Sequence, residues 1–426
     1  MLLFGTAVAA ALTAAAPARA GGFYLQEQSV RGWGRANSGE VADQGPASLW
    51  WNPAASGDSG NGVSLGAVGI FPTGDVRDQG TLIQRPGQGS APVGGLGEQR
   101  NPIQQGVLPN GAAALRLGGG LSVGLAITSP FSFTSKYDAA GWQRYSAIQT
   151  RLRTIDLQPS IAWSPVPMLS IGVALNAEHS SALLTNALPN LAPNLPDGLL
   201  QLKGDGWNYG WSAGAQVHAP GGVSLGIAYK SAITHKLNGN VSISGLLGPL
   251  AGSNLSANTT ARFTTPWQIV IGARAPVGNI VTLDAQVVRY GWSRFDAIRV
   301  GAPLGAVTVE NYRDTWSAAF GFDAKASDRL TLRAGIQLDQ TPTRDATRDA
   351  RVPDGDRADF NVGASYQVGG GLTIDAAAGY THVDSSPIAR MEQFYVGSPA
   401  QTNVLTSGRQ VNQRSLVFGL GGRLGF

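Results

Sequence analysis

Residues 330–339 read Leu330-Thr331-Leu332-Arg333-Ala334-Gly335-Ile336-Gln337-Leu338-Asp339. Apolar side chains alternate with polar or small ones at every step, so an extended strand here has two chemically distinct faces. A tight turn at Ala326-Ser327 precedes the stretch, and a long connection over 341–356 follows it. The same period of two recurs in Val281-Thr282-Leu283-Asp284-Ala285-Gln286-Val287, in Leu372 to Thr381, and in Ser415 to Phe426. Alternation alone fits both a soluble sandwich, with its apolar face inward, and a membrane barrel, with its aliphatic face toward lipid.

The connections separate these two. Strand patterns run near 61–72, 108–118, 121–131, 146–163, 168–183, 203–219, 221–238, 258–276, 278–291, 312–325, 327–340, 357–368, 371–384 and 411–426. Short turns such as Gly118-Gly119-Gly120, Pro220-Gly221 and Gly369-Gly370-Gly371 alternate with long loops over 73–107, 132–145, 184–202, 239–257, 292–311, 341–356 and 385–410. An even strand number with one tight rim and one elaborate rim is the pattern of outer-membrane barrels. Backbone in hydrocarbon must pair all its polar groups, and a sheet does so by closing on itself. The predicted fold is therefore all-β: a 14-stranded antiparallel transmembrane β-barrel with an N-terminal lumenal hatch. Trp163, Trp267, Trp292, Trp316, Tyr290 and Tyr380 fall near strand ends, where interfacial aromatics are expected.

Composition agrees. The 426 residues include 58 Gly and only 14% charged residues, where soluble domains have about 25% charged residues and about 7% Gly. Ten Trp, ten Tyr and 13 Phe exclude a disordered chain. A mean hydropathy of −0.03 excludes a bundle of membrane helices. No Cys is present, which excludes disulfides and thiolate metal sites, and dispersed charge gives no nucleic-acid signature. Met1 to Ala16 is Leu/Ala-rich and Pro17-Ala18-Arg19-Ala20 ends in a small-x-small pattern, which predicts a signal peptide over residues 1–20. Residues 21–60 alternate poorly yet carry Phe23, Tyr24, Trp33, Trp50 and Trp51, too aromatic for a solvated tail. They are predicted to plug the lumen of a barrel formed by residues 61–426.

Short motifs support a family resemblance. Gly22-Phe23-x-Leu25-x-Glu27-Gln28, Gly32-x-Gly34-Arg35-Ala36, Gly39-Glu40 and Asn52-Pro53-Ala54 occur in the plug. Pro130-Phe131, Arg144-Tyr145, Thr154 to Ala162, Gly291 to Asp296, Asp314-Thr315-Trp316, Leu332 to Gly335, Asp339 to Pro342 and Val352 to Arg357 follow in order. Together they resemble the FadL/TodX-type outer-membrane transporters of long-chain fatty acids and other hydrophobic compounds. The resemblance implies a monomeric barrel in the outer membrane of a Gram-negative bacterium, a hatch bearing Phe23, Gly34, Arg35, Asn52, Pro53 and Ala54, and a kinked third strand that opens the wall. Gly124, Ala126, Pro130 and Phe131 are the candidates for that opening, since Gly and Pro interrupt strand ladders. Asn52-Pro53-Ala54 is expected opposite it.

Enzymatic constellations are scarce. His179, His218, His235 and His382 lack metal-ligand spacing, and no G-x-S-x-G occurs. The pair His179-Ser180 is read as a strand-end feature rather than a nucleophile. The Arg/Asp run 344–359 lacks EF-hand spacing and is read as a loop ion-pair network. No catalysis, cofactor, metal or nucleic-acid partner is expected. Two predicted loops are instead unusually apolar, and Leu195, Leu199, Leu200, Leu246, Leu247 and Leu250 are the candidates for a capture groove. A ligand carboxylate would need an Arg, with Arg116, Arg274 and Arg333 as candidates. The expected function is passive uptake of hydrophobic compounds, foremost long-chain fatty acids, by capture at the loops and lateral release. Its partners are the ligand, outer-membrane lipid and lipopolysaccharide. The alternatives are a non-selective porin, or uptake of aromatic hydrocarbons or alkanes by the same route.

Overall fold

A computed structural model describes residues 21–57 and 60–426. The predicted signal peptide lies outside the described residues. Fourteen antiparallel strands close into a barrel. They are β1 Gly62–Asp78, β2 Gly106–Gly118, β3 Leu121–Thr128, β4 Gln149–Val166, β5 Leu169–Leu188, β6 Gly198–His218, β7 Ser224–Lys230 continued by Thr234–Ser244, and β8 Leu255–Thr264 continued by Gln268–Val277. Then come β9 Val281–Tyr290, β10 Thr315–Lys325, β11 Leu330–Asp339, β12 Arg357–Gly369, β13 Leu372–Val383 and β14 Thr402–Gly425. Each strand pairs with the next, and β1 pairs with β14 from Gly62↔Gly425 to Asp78↔Gly408, which removes every edge.

The barrel is apolar outside and polar inside. Ile161, Val173, Leu283, Val362 and Leu420 are more than half exposed on the outer wall, while Gln158, Asn176, Gln286, Gln337 and Asn361 are buried in the lumen. Trp163, Trp316 and Tyr380 also face outward. Tyr290 and Trp292, read from the sequence as interfacial aromatics, are 3% and 1% exposed and correct that reading. Both turn inward because the plug supplies rings for them to pack against.

The sheet continues into segments expected to be long loops. Strands β5 and β6 stay paired up to Leu188↔Gly198, and the second part of β7 stays paired with β6 up to Ser244↔Leu199. Leu199 and Leu200, expected in a loop, therefore lie on a strand.

Residues 21–57 fill the lumen without forming a sheet of their own. Ser29 accepts from Gly32 N and caps the single helical turn α1 Val30–Trp33. Asn52 accepts from Ala54 N and caps a 3₁₀ turn, with Pro53 at its first position. Val41, Leu49, Trp33 and Trp51 are essentially fully buried. The wall beneath them is glycine because the plug backbone lies directly on it. A Cβ on Gly335 would meet the backbone of Arg35, one on Gly363 would meet Cα of Gly34, and one on Gly172 would meet the backbone of Pro53 and Ala54. Part of the high glycine content thus has a packing cause, and another part lies in turns at positive φ, as at Gly118, Gly119 and Gly120.

Candidate functional site

The third strand is interrupted at Ser129–Ser132. Strand β3 pairs with β2 as far as Gly111↔Ile127 and with β4 as far as Thr128↔Asp156. Pairing to β4 resumes only at Phe133↔Leu152, through the short strand Phe133–Lys136. Two wall segments, Gly106–Asn110 of β2 and 153–155 of β4, thereby lose their ladder partner on this side.

The start of the plug takes up that missing pairing. Leu25 N donates to Pro130 O at 2.8 Å, and Tyr24 and Phe131 form an isolated antiparallel bridge. The Gln28 amide donates to Ser129 O and accepts from Ser129 N at 3.0 Å, as a peptide group of a neighbouring strand would. On the other side of Phe23, Gly22 N donates to Asp354 Oδ2 at 2.8 Å, and Arg357 donates to Gly22 O at 2.7 Å. These anchors hold the Phe23 ring against Trp292 at 4.9 Å, Phe295 at 5.1 Å, Phe133 at 5.8 Å and Phe131 at 5.9 Å.

Phe23 lines two cavities at once. The first, of about 70 Å³, is walled by Leu152, Ala182, Leu184, Leu202, Leu237, Phe263, Phe295 and Tyr312. One part of its lining is charged, with Glu310, Asp349 and Arg351. Burial, reinforced by nearby Asp349, pushes the Glu310 carboxyl up to about 8. Asp349 is held below its usual value by Arg351 and Arg390 despite burial, and Arg351 is raised by the same carboxylates. Arg351 donates to Asp349, while Arg390 stands 3.2 Å from Asp349 and 3.6 Å from Glu310.

The second cavity, of about 560 Å³, is lined by plug residues Gly22 to Glu27 and by Ser129, Ser132 and Phe133 around the strand break. Its lining also includes Val107 and Ile155, which are 65% and 51% exposed on the lipid-facing wall. The cavity thus reaches the outer surface between β2 and β4, where the ladder is missing. Phe23, Phe133, Leu152 and Val352 line both cavities and form the partition between them.

The residues singled out from sequence distribute unevenly. Phe23 is at the partition, and Pro130 and Phe131 are in the strand break itself. Gly124 and Ala126 sit in the regular β3 ladder, paired with Ala114 and Ala112, where Leu49 of the plug packs against them. Arg35 and Gly34 lie against β10–β12, and Arg35 contacts Glu40, Asp43 (2.6 Å) and Asp323 (3.1 Å). Asn52, Pro53 and Ala54 pack on β5 and β6 rather than at the break, and the Asn52 amide donates to Val41 O and Ala215 O.

Arg274 and Arg333 are engaged with Asp323 at 2.8 and 3.0 Å, and Arg116 lies at the short-turn end of β2, so none of the three lines either cavity. Leu246 and Leu250 are buried with Leu188, whereas Leu199 and Leu247 are each 39% exposed and Leu195 and Leu200 partly so. The pair read as His179-Ser180 separates: His179 faces outward near Asp205, and Ser180 bonds the buried His235 instead.

Glu310, Asp349 and Arg351 were missed as a group. Their only signal in the sequence was the charge run that contains the last two.

Comparison with known proteins agrees with this architecture. Residues 11–421 match the family described as outer membrane protein transport protein (OMPP1/FadL/TodX). The chain is 27% identical to a long-chain fatty acid transport protein of Escherichia coli O6:H1, covering 85% of this chain and 86% of that one. It is 29% identical to a 47 kDa outer membrane protein of Pasteurella multocida, covering 89% and 91%. Among solved structures, a Pseudomonas aeruginosa FadL homologue superposes with a TM-score of 0.82 at 25% identity, over 95% of this chain and 100% of that one. The Ralstonia pickettii toluene transporter TbuX shares the fold at a TM-score of 0.64 and 18% identity, over 93% and 98%. The chain belongs to the OMPP1/FadL/TodX family of outer-membrane proteins that transport hydrophobic compounds, and its place is the outer membrane.

Proposed function

We propose that this protein takes up long-chain fatty acids passively and releases them sideways into the outer membrane through the break in β3. The observation that carries the reading is the partition at Phe23, with an apolar cavity bearing a charged end on one side and a cavity open through the wall on the other. An alkyl chain gains about 0.8 kcal/mol per buried methylene in such an apolar slot. A carboxylate matches the planar guanidinium of Arg351, which offers a bidentate partner. Exposed Leu199 and Leu247 at the long-loop rim provide the first apolar contact. The ligand then displaces Phe23, enters the wider cavity, and leaves between β2 and β4. The similarity to a long-chain fatty acid transport protein of Escherichia coli supports a fatty acid.

Uptake of a monoaromatic hydrocarbon is the second reading. It is favoured by the aromatic lining and small volume of the first cavity and by the name of the toluene transporter that shares the fold. A non-selective porin is disfavoured by the plug that fills the lumen. Expression in a strain that lacks its own transporter tests all three. Oleate uptake without a rise in ion conductance supports the proposal, toluene uptake alone supports the second reading, and open-channel conductance supports a porin.

A further inference from the structure

We propose that a strip of cations on the outer wall, Lys203, Lys236, Arg262 and Arg299, is a docking site for the phosphate groups of one lipopolysaccharide molecule in the outer leaflet.

The strip follows from strand register. His235 and Leu237 flank Lys236 and are 0% and 1% exposed inside the barrel, so Lys236 points to the outside. Lys236 is the direct cross-strand neighbour of Arg262, and Arg262 is that of Arg299 on the short strand Ala297–Val300. Lys236 and Arg262 in direct register repel one another, which destabilises a sheet unless an anion is present, whereas Arg299 beside them is paired with Asp296. Lys203 stands on β6, opposite Asn240 of the same β7 segment.

Their height on the wall points to the ligand. Immediately toward the short-turn rim on β6 are Trp207, Tyr209 and Trp211, all outward and about half exposed or more, with Tyr229 5.1 Å from Trp211. Such a cluster marks the headgroup level of a membrane interface. The Lys236 backbone bonds Asn208 at 2.8 Å, which sets the strip level with Trp207, at the long-loop edge of that cluster. Long loops face outward in barrels of this kind, so the strip meets the outer leaflet, where the anionic groups are lipid A phosphates.

Two acids share this surface. Asp296 pairs with Arg299 at 2.6 Å, and Asp205 stands 3.4 Å from His179. Among the described residues no acidic side chain lies within salt-bridge distance of Lys203, Lys236 or Arg262. The surface therefore carries an excess of positive charge at the depth of lipid phosphate.

Native mass spectrometry of the detergent-purified full chain with hexa-acylated lipid A tests the proposal. Lipid A adducts on the wild type are expected to fall at least fivefold in the Lys236→Gln/Arg262→Gln double variant. The charge-preserving Lys236→Arg/Arg262→Lys variant, which checks folding, is expected to keep them. Unchanged adducts in the double variant overturn the site. A wild type that binds dephosphorylated lipid A as well as the phosphorylated form overturns phosphate recognition without any variant. Equal displacement of lipid A by dioleoyl-phosphatidylglycerol assigns the strip to phospholipid and also overturns the proposal.

Discussion

The amide of Leu25 donates a 2.8 Å hydrogen bond to the carbonyl of Pro130, so the plug is bonded to the wall at the one place where β3 has left its neighbours. Any sideways passage there requires this contact and the adjacent Tyr24↔Phe131 bridge to open. A disulfide spans Cα atoms about 4.4–6.8 Å apart, and bridged antiparallel residues lie within that range. The chain has no cysteine of its own. Tyr24→Cys/Phe131→Cys is therefore expected to form a lock under oxidation. Oleate uptake should fall to background when the lock is formed and recover on reduction. Uptake that ignores the redox state removes the break as the exit.

Phe23 fills the partition between the two cavities, and its ring meets five other aromatic rings. Truncation of a buried Phe commonly costs about 3–5 kcal/mol in local packing. Phe23→Ala is expected to merge the cavities, weaken retention of a bound acyl chain at least tenfold, and leave the melting of the barrel unchanged. Equilibrium binding of a fluorescent fatty acid, beside thermal unfolding, measures both.

Much of this architecture was legible because a barrel writes itself in a simple code. Period-two alternation and the long–short rhythm of connections identify fourteen strands in order, since lipid and lumen impose opposite demands on neighbouring residues. What escaped was set by tertiary contact. Tyr290 and Trp292 look like interfacial rings by position, yet they turn inward because Phe23 and Tyr24 arrive from residues far away in sequence. Pro130 signals the break in β3, whereas Gly124 and Ala126 are small for another reason: Leu49 lies against them. Asp349 and Arg351 sit in a visible charge run, but their meeting with Glu310 depends on the packing of two separate loops.

Glu310 gives a pH dependence. Its carboxyl titrates near 8 in the folded protein, above its ordinary value of 4.5, chiefly through burial and then through Asp349. Between those values the native state holds a proton that the unfolded chain lacks, so this group's contribution to stability declines as pH rises from about 4.5 to about 8. In the same upper range the ionised Glu310 repels a ligand carboxylate beside Arg351. Fatty-acid affinity is expected to weaken as pH passes from 7 to 9, and Glu310→Gln is expected to flatten that profile. Fluorescence titrations across this range check it. An identical slope in both proteins would assign the effect to another group.

Arg35 stands at the centre of an ionic cluster between the plug and the wall. It is fully buried, touches Glu40, Asp43 and Asp323, and its backbone rests where Gly335 leaves room. Removal of one partner from a buried ionic cluster typically costs about 3–5 kcal/mol, because the opposing charges stay buried without compensation. Arg31 and Arg274 also approach Asp43, so the cluster is weakened rather than abolished. Arg35→Met is expected to loosen residues 21–57 while the closed hydrogen-bond ladder of the barrel survives. The loosened plug should show as a rise in ion conductance in planar bilayers and as new protease cleavage within that segment. Gly335→Val reaches the same end by a different cause, since its side chain collides with the Arg35 backbone. Both variants should conduct and retain the thermal unfolding of the wild-type barrel. A silent bilayer in both would mean that the packing of Trp33, Val41, Leu49 and Trp51, not the ionic cluster, is what keeps the lumen closed.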